Sequence, residues 1–309
     1  MKRVIPGFLL LIFCTLIFSG VPEDFDIQGH RGCRGLMPQN TLAGFKYAME
    51  KIGVDTLEMD VVITRDKVLV LNHDPYLNTD RTMKDGEFLD ERIYIKDLTL
   101  DEIKEYEVGQ IKNRYLFPFQ AQLEGVRIPT LQEVIDLVKE WEKESGEIVR
   151  LNIETKISPI NPKETFSAEV YEALLLELID ENDIRDQVTV QSFYWKIIMD
   201  VKEKHPDIDT AALISSHRMG NPIWFNGLKR SDYESFGAFI QASNADILSM
   251  NYQDLKPEYI SELQERGIRV IPYTINKRRV MRRFIELGVD GIITDYPNLL
   301  KKVIAEMSD

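Results

Sequence analysis

The sequence has little cysteine, little histidine, a shortage of positive charge and no apolar run longer than the one near its N-terminus. Only Cys14 and Cys33 occur in 309 residues, and Cys14 lies in that N-terminal run. Without the run a single thiol is left, so no intramolecular disulfide can staple the fold. The core must hold it, and a chain of this length has enough interior to do so. Basic residues number 38 against 51 acidic ones, for a formal net charge of −13. That balance excludes nucleic acid as an expected partner, because phosphate backbones are held by basic patches. No Gly/Ser linker or low-complexity stretch divides the chain. The 44% hydrophobic content is that of a globular protein and excludes a disordered chain.

The apolar run is short. Lys2 and Arg3 precede Phe8 to Phe18, and Ser19 and Gly20 follow. A membrane-spanning helix needs about 20 apolar residues, so a cleaved export signal over residues 1–20 is the expectation. The mature chain is then periplasmic or extracellular, with no membrane contact expected after signal removal. An uncleaved anchor and a lipoprotein modified at Cys14 are the alternatives; the bulky Phe13 argues against the second. Loss of Lys2 and Arg3 takes the net charge from −13 to −15. An anionic substrate then needs a local cation.

Short apolar runs alternate with amphipathic stretches along the rest. Strands are expected at 25–28, 54–62, 67–71, 148–153, 188–191, 211–214, 247–250, 269–273 and 291–293. Helices are expected at 40–51, 130–144, 168–180, 194–204, 257–266 and 277–287, with Thr130 and Glu133 forming a capping box. Buried strands alternating with helices imply a parallel sheet covered by helices. About eight strands, with polar residues at their C-terminal ends, fit a somewhat irregular TIM-type (β/α)8 barrel over residues 24–309. Residues 75–126 lack a clear buried strand and contain one helical stretch, 100–106. They read as an insertion over the active-site rim, following the third strand.

Chemistry concentrates at the strand ends. His30-Arg31-Gly32 follows the first strand and joins a proton-transfer side chain to one that forks onto phosphate or carboxylate. Glu58 and Asp60 are two apart in a strand and share a face. Like charges so close call for a hard cation, Mg²⁺ or Ca²⁺. A hairpin through Thr64-Arg65-Asp66-Lys67, with paired residue numbers totalling about 131, would set Glu58 opposite His73. Glu154 and Lys156 share a face by the same period of two; one could be a third ligand and the other a charge for an anionic oxygen. His205 and His217 have no such company.

The ordered set of motifs resembles the glycerophosphodiester phosphodiesterase family. It runs Gly-His-Arg-Gly at 29–32, Pro-Gln-Asn-Thr at 38–41, Leu-Glu-Met-Asp-Val at 57–61, His-Asp at 73–74, Arg-Thr at 81–82, Ile-Pro-Thr-Leu at 128–131, Asn-Ile-Glu-Thr-Lys at 152–156, Gln-Ser-Phe at 191–193 and Gly-Val-Asp-Gly-Ile-Ile-Thr-Asp-Tyr-Pro at 288–297. The resemblance covers about residues 26–300. It implies one divalent cation, Ca²⁺ or Mg²⁺, on Glu58, Asp60 and Glu154, with His30 and His73 as the acid–base pair. Arg31 and Lys156 would bind phosphate, and Gln191, Phe193 and Tyr273 would line the substrate pocket. The substrate implied is a small glycerophosphodiester, cleaved to an alcohol and glycerol 3-phosphate through a cyclic phosphate. Two positions depart from the family pattern: Gln39 stands where Glu is usual, and Tyr273 where Trp is common. A lyase that stops at the cyclic phosphate, and a non-catalytic polyol-phosphate binder, are the rival readings. The sequence carries no statement of oligomeric state.

Overall fold

A computed structural model describes residues 20–308. The expected leader falls on residues that, but for Gly20, lie outside that range. Eight parallel strands form the centre: β1 (Asp26–Gly29), β2 (Thr56–Ile63), β3 (Arg150–Thr155), β4 (Val188–Ser192), β5 (Asp209–Ile214), β6 (Ile247–Met250), β7 (Arg269–Val270) and β8 (Gly291–Thr294). They pair in the order β7-β6-β5-β4-β3-β2-β1-β8. The remaining seam between β7 and β8 carries backbone bonds from Asp290 N–H to the Val270 carbonyl and from Ile293 N–H to the Pro272 carbonyl, both 3.0 Å. The sheet therefore curls round as a nearly closed barrel, with helices on its outside.

β2 and β8 are buried along their whole length, with Val, Ile and Leu among their residues. That is the pattern of a parallel sheet covered on both faces. Aromatic packing adds to the shell. Trp195 is fully buried, with its ring 4.8 Å from that of Phe225 and 5.1 Å from that of Phe239. The expected seventh strand, 269–273, is regular only over Arg269–Val270. Pro272 has no N–H to give the ladder, and Tyr273 continues it as an isolated bridge to Asn251.

The helix at Leu131–Ser145 begins at Thr130 with the expected capping box and stops at Gly146, whose φ is +74°. The expected helix over 40–51 starts later. Asn40 has φ +52° and stands outside it. Thr41 caps Leu42–Tyr47, and a wider turn, Ala48–Ile52, follows. Two helices had no visible signal. Phe236–Gln241 is too short and too apolar to show a period. Pro297–Ser308 opens on a proline that reads as a breaker but sits well in a first helical turn. Its Glu306 pairs with Arg278 and Arg282 of the basic stretch before it. Among the described residues no helix is long and apolar enough to cross a membrane.

The hairpin after β2 forms, but its register differs by one residue from expectation. Val61 pairs with Leu71 and Ile63 with Leu69. Thr64 and Val68 close a three-residue loop, with a bond from Thr64 N–H to the Val68 carbonyl at 3.0 Å. Lys67 takes the left-handed position in it, at φ +68°. A three-residue loop, rather than the polar tetrapeptide read from sequence, moves every facing pair by one. Asp60 thus faces Asn72, whose N–H donates to the Asp60 carbonyl at 3.1 Å. Beyond the hairpin, the 75–126 segment folds into two short antiparallel pairs and a helix at Leu100–Ile103. It packs on its own small core of Leu77, Ile95, Ile103 and Tyr106 against Val62, Val70 and Ile128.

Candidate functional site

The C-terminal ends of the strands surround a cleft of about 560 Å³. β1 ends in a turn that admits little but glycine. A Cβ on Gly29 would lie 2.0 Å from the Gly32 carbonyl oxygen, and Gly32 itself has φ +87°. Arg31, between them, is also left-handed at φ +52°. A conformation that disfavoured is held by a partner: the Arg31 N–H donates to Glu58 at 2.9 Å. The tight turn thus aims His30 and Arg31 at the end of β2.

Three buried carboxylates meet there. Glu58 and Asp60 on β2, and Glu154 on β3, each offer an oxygen within 4.8 Å of the others. The β2–β3 register sets Asp60 level with Glu154. Glu58 accepts from Arg31 N–H and from Gln191 Nε2 at 2.8 Å. Asp60 accepts from Asn40 Nδ2 at 2.9 Å and faces Arg31 Nε at 3.0 Å. Its other oxygen is buried without a hydrogen-bond partner. Lys156 lies 2.6 Å from Glu154 and 3.4 Å from Asp60. An all-oxygen donor set, in which Asp60 Oδ1 takes no hydrogen bond and has only the Lys156 charge beside it at 3.4 Å, fits a hard divalent cation.

Electrostatics divides the three. Burial, and then the charge of Asp60, pushes the Glu58 carboxyl well above the usual range. Burial raises Asp60 too, but Arg31 and Lys156 outweigh it and hold that carboxyl well below. Burial raises Glu154 against the pull of Lys156. Lys156 is held above its ordinary value because Glu154 and Asp60 overcome its own burial. A further cation is the natural relief for such a set.

Each histidine leans on an aspartate. His30 Nδ1 lies 2.5 Å from Asp295 Oδ1, and His73 Nδ1 lies 2.9 Å from Asp74 Oδ1. Both aspartates are held below the ordinary carboxyl range, against their burial, by the histidines themselves among other partners. An ionised carboxylate only accepts, so each Nδ1 carries the proton and each Nε2 is left with a lone pair. His30 Nε2 points toward Glu58, 3.9 Å away. Burial and then Arg31 lower His30 to about 4. Burial and then Lys156 lower His73 to about 3.

The depressed histidine has a consequence for stability. An unfolded imidazole titrates near 6.5 and the folded His30 near 4. Below pH 6.5 the unfolded chain takes up a proton that the folded one refuses. The contribution is therefore whole above pH 6.5 and is lost as pH falls toward 4. His73 acts in the same direction. The melting temperature of the wild type is expected to fall more steeply between pH 6.5 and 4 than that of His30→Gln. Parallel curves over that window would refute the reading.

Every residue that the resemblance implies for the site borders this cleft or touches one that does, and His205 does not border it. His30, Arg31, Glu58, His73, Glu154, Lys156, Gln191, Phe193 and Tyr273 border it, and Asp60 is ion-paired with Arg31. The Phe193 and Tyr273 rings meet edge to face at 6.1 Å. Gln39 keeps an acceptor where the family pattern has a charge, taking a bond from Arg31 at 3.1 Å. Cys33 is a fully buried packing residue, its thiol pushed up to about 12 by burial.

Sequence reasoning missed several partners. Asp74, Asn40 and Asp295 stand inside quoted motifs, yet their roles needed the fold. Arg34 reaches Asp295 at 3.2 Å, and Arg218 lies 3.7 Å over the Phe193 ring. Both border the cleft, as does His217. With Arg31 and Lys156, four cationic side chains thus face an opening in an acidic protein.

Known proteins resemble this chain over most of its length. The chain matches the Glycerophosphoryl diester phosphodiesterase family over residues 30–299. It is 31% identical to a glycerophosphodiester phosphodiesterase of Caldanaerobacter subterraneus, over 90% of this chain and 97% of that protein. A glycerophosphodiester phosphodiesterase of Bacillus subtilis is 28% identical, over 91% and 87%. Among solved structures, a Silicibacter pomeroyi chain provisionally named a glycerophosphoryl diester phosphodiesterase superposes with a TM-score of 0.83 at 28% identity, covering 94% of this chain and 96% of that one. An Oleispira antarctica phosphodiesterase, solved with the product sn-glycerol-3-phosphate, shares the fold at a TM-score of 0.68 and 22% identity, over 90% and 96%.

Proposed function

The chain belongs to the glycerophosphoryl diester phosphodiesterase family, and from that premise we propose that it hydrolyses small glycerophosphodiesters, such as glycerophosphocholine, to an alcohol and glycerol 3-phosphate. The observation that carries the reading is the convergence, at one cleft, of three buried carboxylates with two His–Asp pairs. Glu58, Asp60 and Glu154 would hold one Ca²⁺ or Mg²⁺. Such an ion supplies charge neutralisation at the phosphoryl oxygens. Arg31 and Lys156 add fixed positive charge for the same oxygens. Gln191 orients Glu58, and Phe193 with Tyr273 forms an apolar wall for the organic part of the substrate.

Proton transfer falls to the histidines. In the first step the 2-hydroxyl of the substrate's glycerol attacks phosphorus, forming an O–P bond and breaking the bond to the alcohol. One histidine Nε2 takes the hydroxyl proton and the other, protonated, gives one to the departing alcohol. Water then opens the cyclic phosphate with the roles exchanged. A bound phosphodiester anion offsets the Arg31 charge that helps to depress both histidines and the Lys156 charge that helps to depress His73, and so favours their protonation when substrate is present. The N-terminal 20 residues are read as an export signal, placing the enzyme in the periplasm or outside the cell.

A panel of glycerophosphodiesters, tested after chelation and refilling with single metals, examines the proposal. Loss of turnover on chelation and its return with Ca²⁺ or Mg²⁺ are expected. Accumulation of cyclic phosphate without glycerol 3-phosphate would make the chain a lyase. Substrate binding without turnover under any metal would make it a binder.

A further inference from the structure

Among the described residues, eight large apolar side chains are exposed. Six belong to segments that follow the C-terminal ends of barrel strands, the face that carries the cleft. Tyr94, Tyr115, Leu116 and Phe119 lie in the insertion, Ile160 after β3 and Ile223 after β5. Three of the six fall within five residues of one another, and they are the extreme cases: Tyr115 is 94% exposed, Phe119 74% and Leu116 63%. One exposed leucine needs no explanation, but a cluster at one tip does.

The tip is fixed beside the cleft. Gln120 Nε2 donates to the Arg34 carbonyl at 2.7 Å, and Ala121 N–H to the Leu36 carbonyl at 2.8 Å. The Arg34 guanidinium lies 4.6 Å from the Phe117 ring and bonds Asp295, the partner of His30. Its charge is also opposite in sign to the net charge of the chain. Residues 108–123 carry Lys112 and Arg114, both exposed, and no acidic residue, within a protein of net charge −13. Aromatic side chains flanked by basic ones form the pattern that partitions into a lipid headgroup region.

We propose that residues 112–119 dock on an anionic lipid surface and set the mouth of the cleft against it. Tyr115, Leu116 and Phe119 enter the headgroup layer, while Lys112 and Arg114 meet its negative charge. Docking stands independently of the reaction; that it brings the cleft to lipid-derived diesters rests on the proposed function. Docking at the tip departs from the expectation, drawn from a cleaved export signal, of no membrane contact for the mature chain.

Co-sedimentation with phosphatidylcholine–phosphatidylglycerol vesicles tests this without any turnover. The wild type is expected to pellet, and Tyr115→Ser/Phe119→Ser to partition at least about tenfold less. Pure phosphatidylcholine vesicles and raised salt are expected to weaken binding by the wild type. Hydrolysis of soluble glycerophosphocholine by the double variant is expected to stay at the wild-type level, since neither residue borders the cleft. Tyr115→Trp reports the tip itself: its emission should be quenched by brominated phospholipid, even in a preparation that retains the N-terminal apolar run. Equal pelleting of wild type and double variant, no pelleting of the wild type, or an unquenched tip would each overturn the proposal. So would a wild-type dimer that the double variant abolishes without any vesicle binding, which would show the patch to be covered by a second copy. Failure of the catalytic reading shows separately, as no turnover of the soluble diester.

Discussion

Glu58→Gln is expected to lower kcat/KM on glycerophosphocholine by about 10³-fold, the loss of several kcal/mol of charge stabilisation, while leaving the fold intact. The two halves of that expectation have different causes. Glu58 is one of three carboxylates that converge within 4.8 Å, and an amide there removes a full charge from the set. It also disturbs the Arg31 turn, because Glu58 accepts the Arg31 N–H. The fold has less to lose. Burial and Asp60 make the Glu58 carboxyl reluctant to ionise. A carboxyl whose folded pKa is raised opposes folding above its unfolded value near 4.5, and the penalty grows with pH. A neutral isostere removes it. The hydrogen bonds can adjust as well. Gln191 donates its Nε2 to Glu58 while its Oε1 is buried without a partner, so a flip of the Gln191 amide presents an acceptor to the new side-chain N–H of the variant. In chelator, the melting temperature of Glu58→Gln should match or exceed that of the wild type. Added Mg²⁺ or Ca²⁺ should raise the wild type by mass action and the variant much less. Near-normal turnover, or an equal thermal shift with metal, would remove Glu58 from the site.

How far this site could be read without the fold depends on the distance over which each residue finds its partner. Glu58 with Asp60, and Glu154 with Lys156, are legible from the period of two, and so is their common placement at strand ends. The hairpin read from sequence brings His73 to the site with a register one residue from the observed one. The placement survived because His73 lies beyond the paired strands, where it borders the cleft whichever residue faces Asp60. Asp295 was not legible in its role. It meets His30 across 265 residues, a contact made only because β8 pairs with β1 and closes the ring. Arg34 sits in a turn, and His217 and Arg218 in a single 3-10 turn, Ser216–Arg218; segments so short carry no period to betray the direction of a side chain. The helix at Pro297–Ser308 was missed because a proline at its first turn looks the same, in sequence, as a proline that ends a strand connection.

The two His–Asp pairs make the final expectation specific. His30→Gln and His73→Ala are each expected to lower kcat on glycerophosphocholine by about 10²- to 10⁴-fold, the usual contribution of a positioned acid or base, with smaller changes in KM. Asp295→Asn should approach the effect of His30→Gln. The asparagine amide can donate to Nδ1, which moves the ring proton to Nε2 and removes the lone pair that faces Glu58. Asp295 also anchors Arg34 and Asn276, so the kinetic loss should be accompanied by a fall in melting temperature, larger than for His30→Gln. The choice of leaving group then separates acid from base. A 4-nitrophenyl diester of glycerol phosphate departs without needing a proton. The variant lacking the acid of the first step should recover most of its rate on that substrate, and the variant lacking the base should not. If His30→Gln and His73→Ala respond alike to the better leaving group, the histidines do not divide the two roles. If either variant turns over glycerophosphocholine at a near-normal rate, that histidine takes no part in proton transfer.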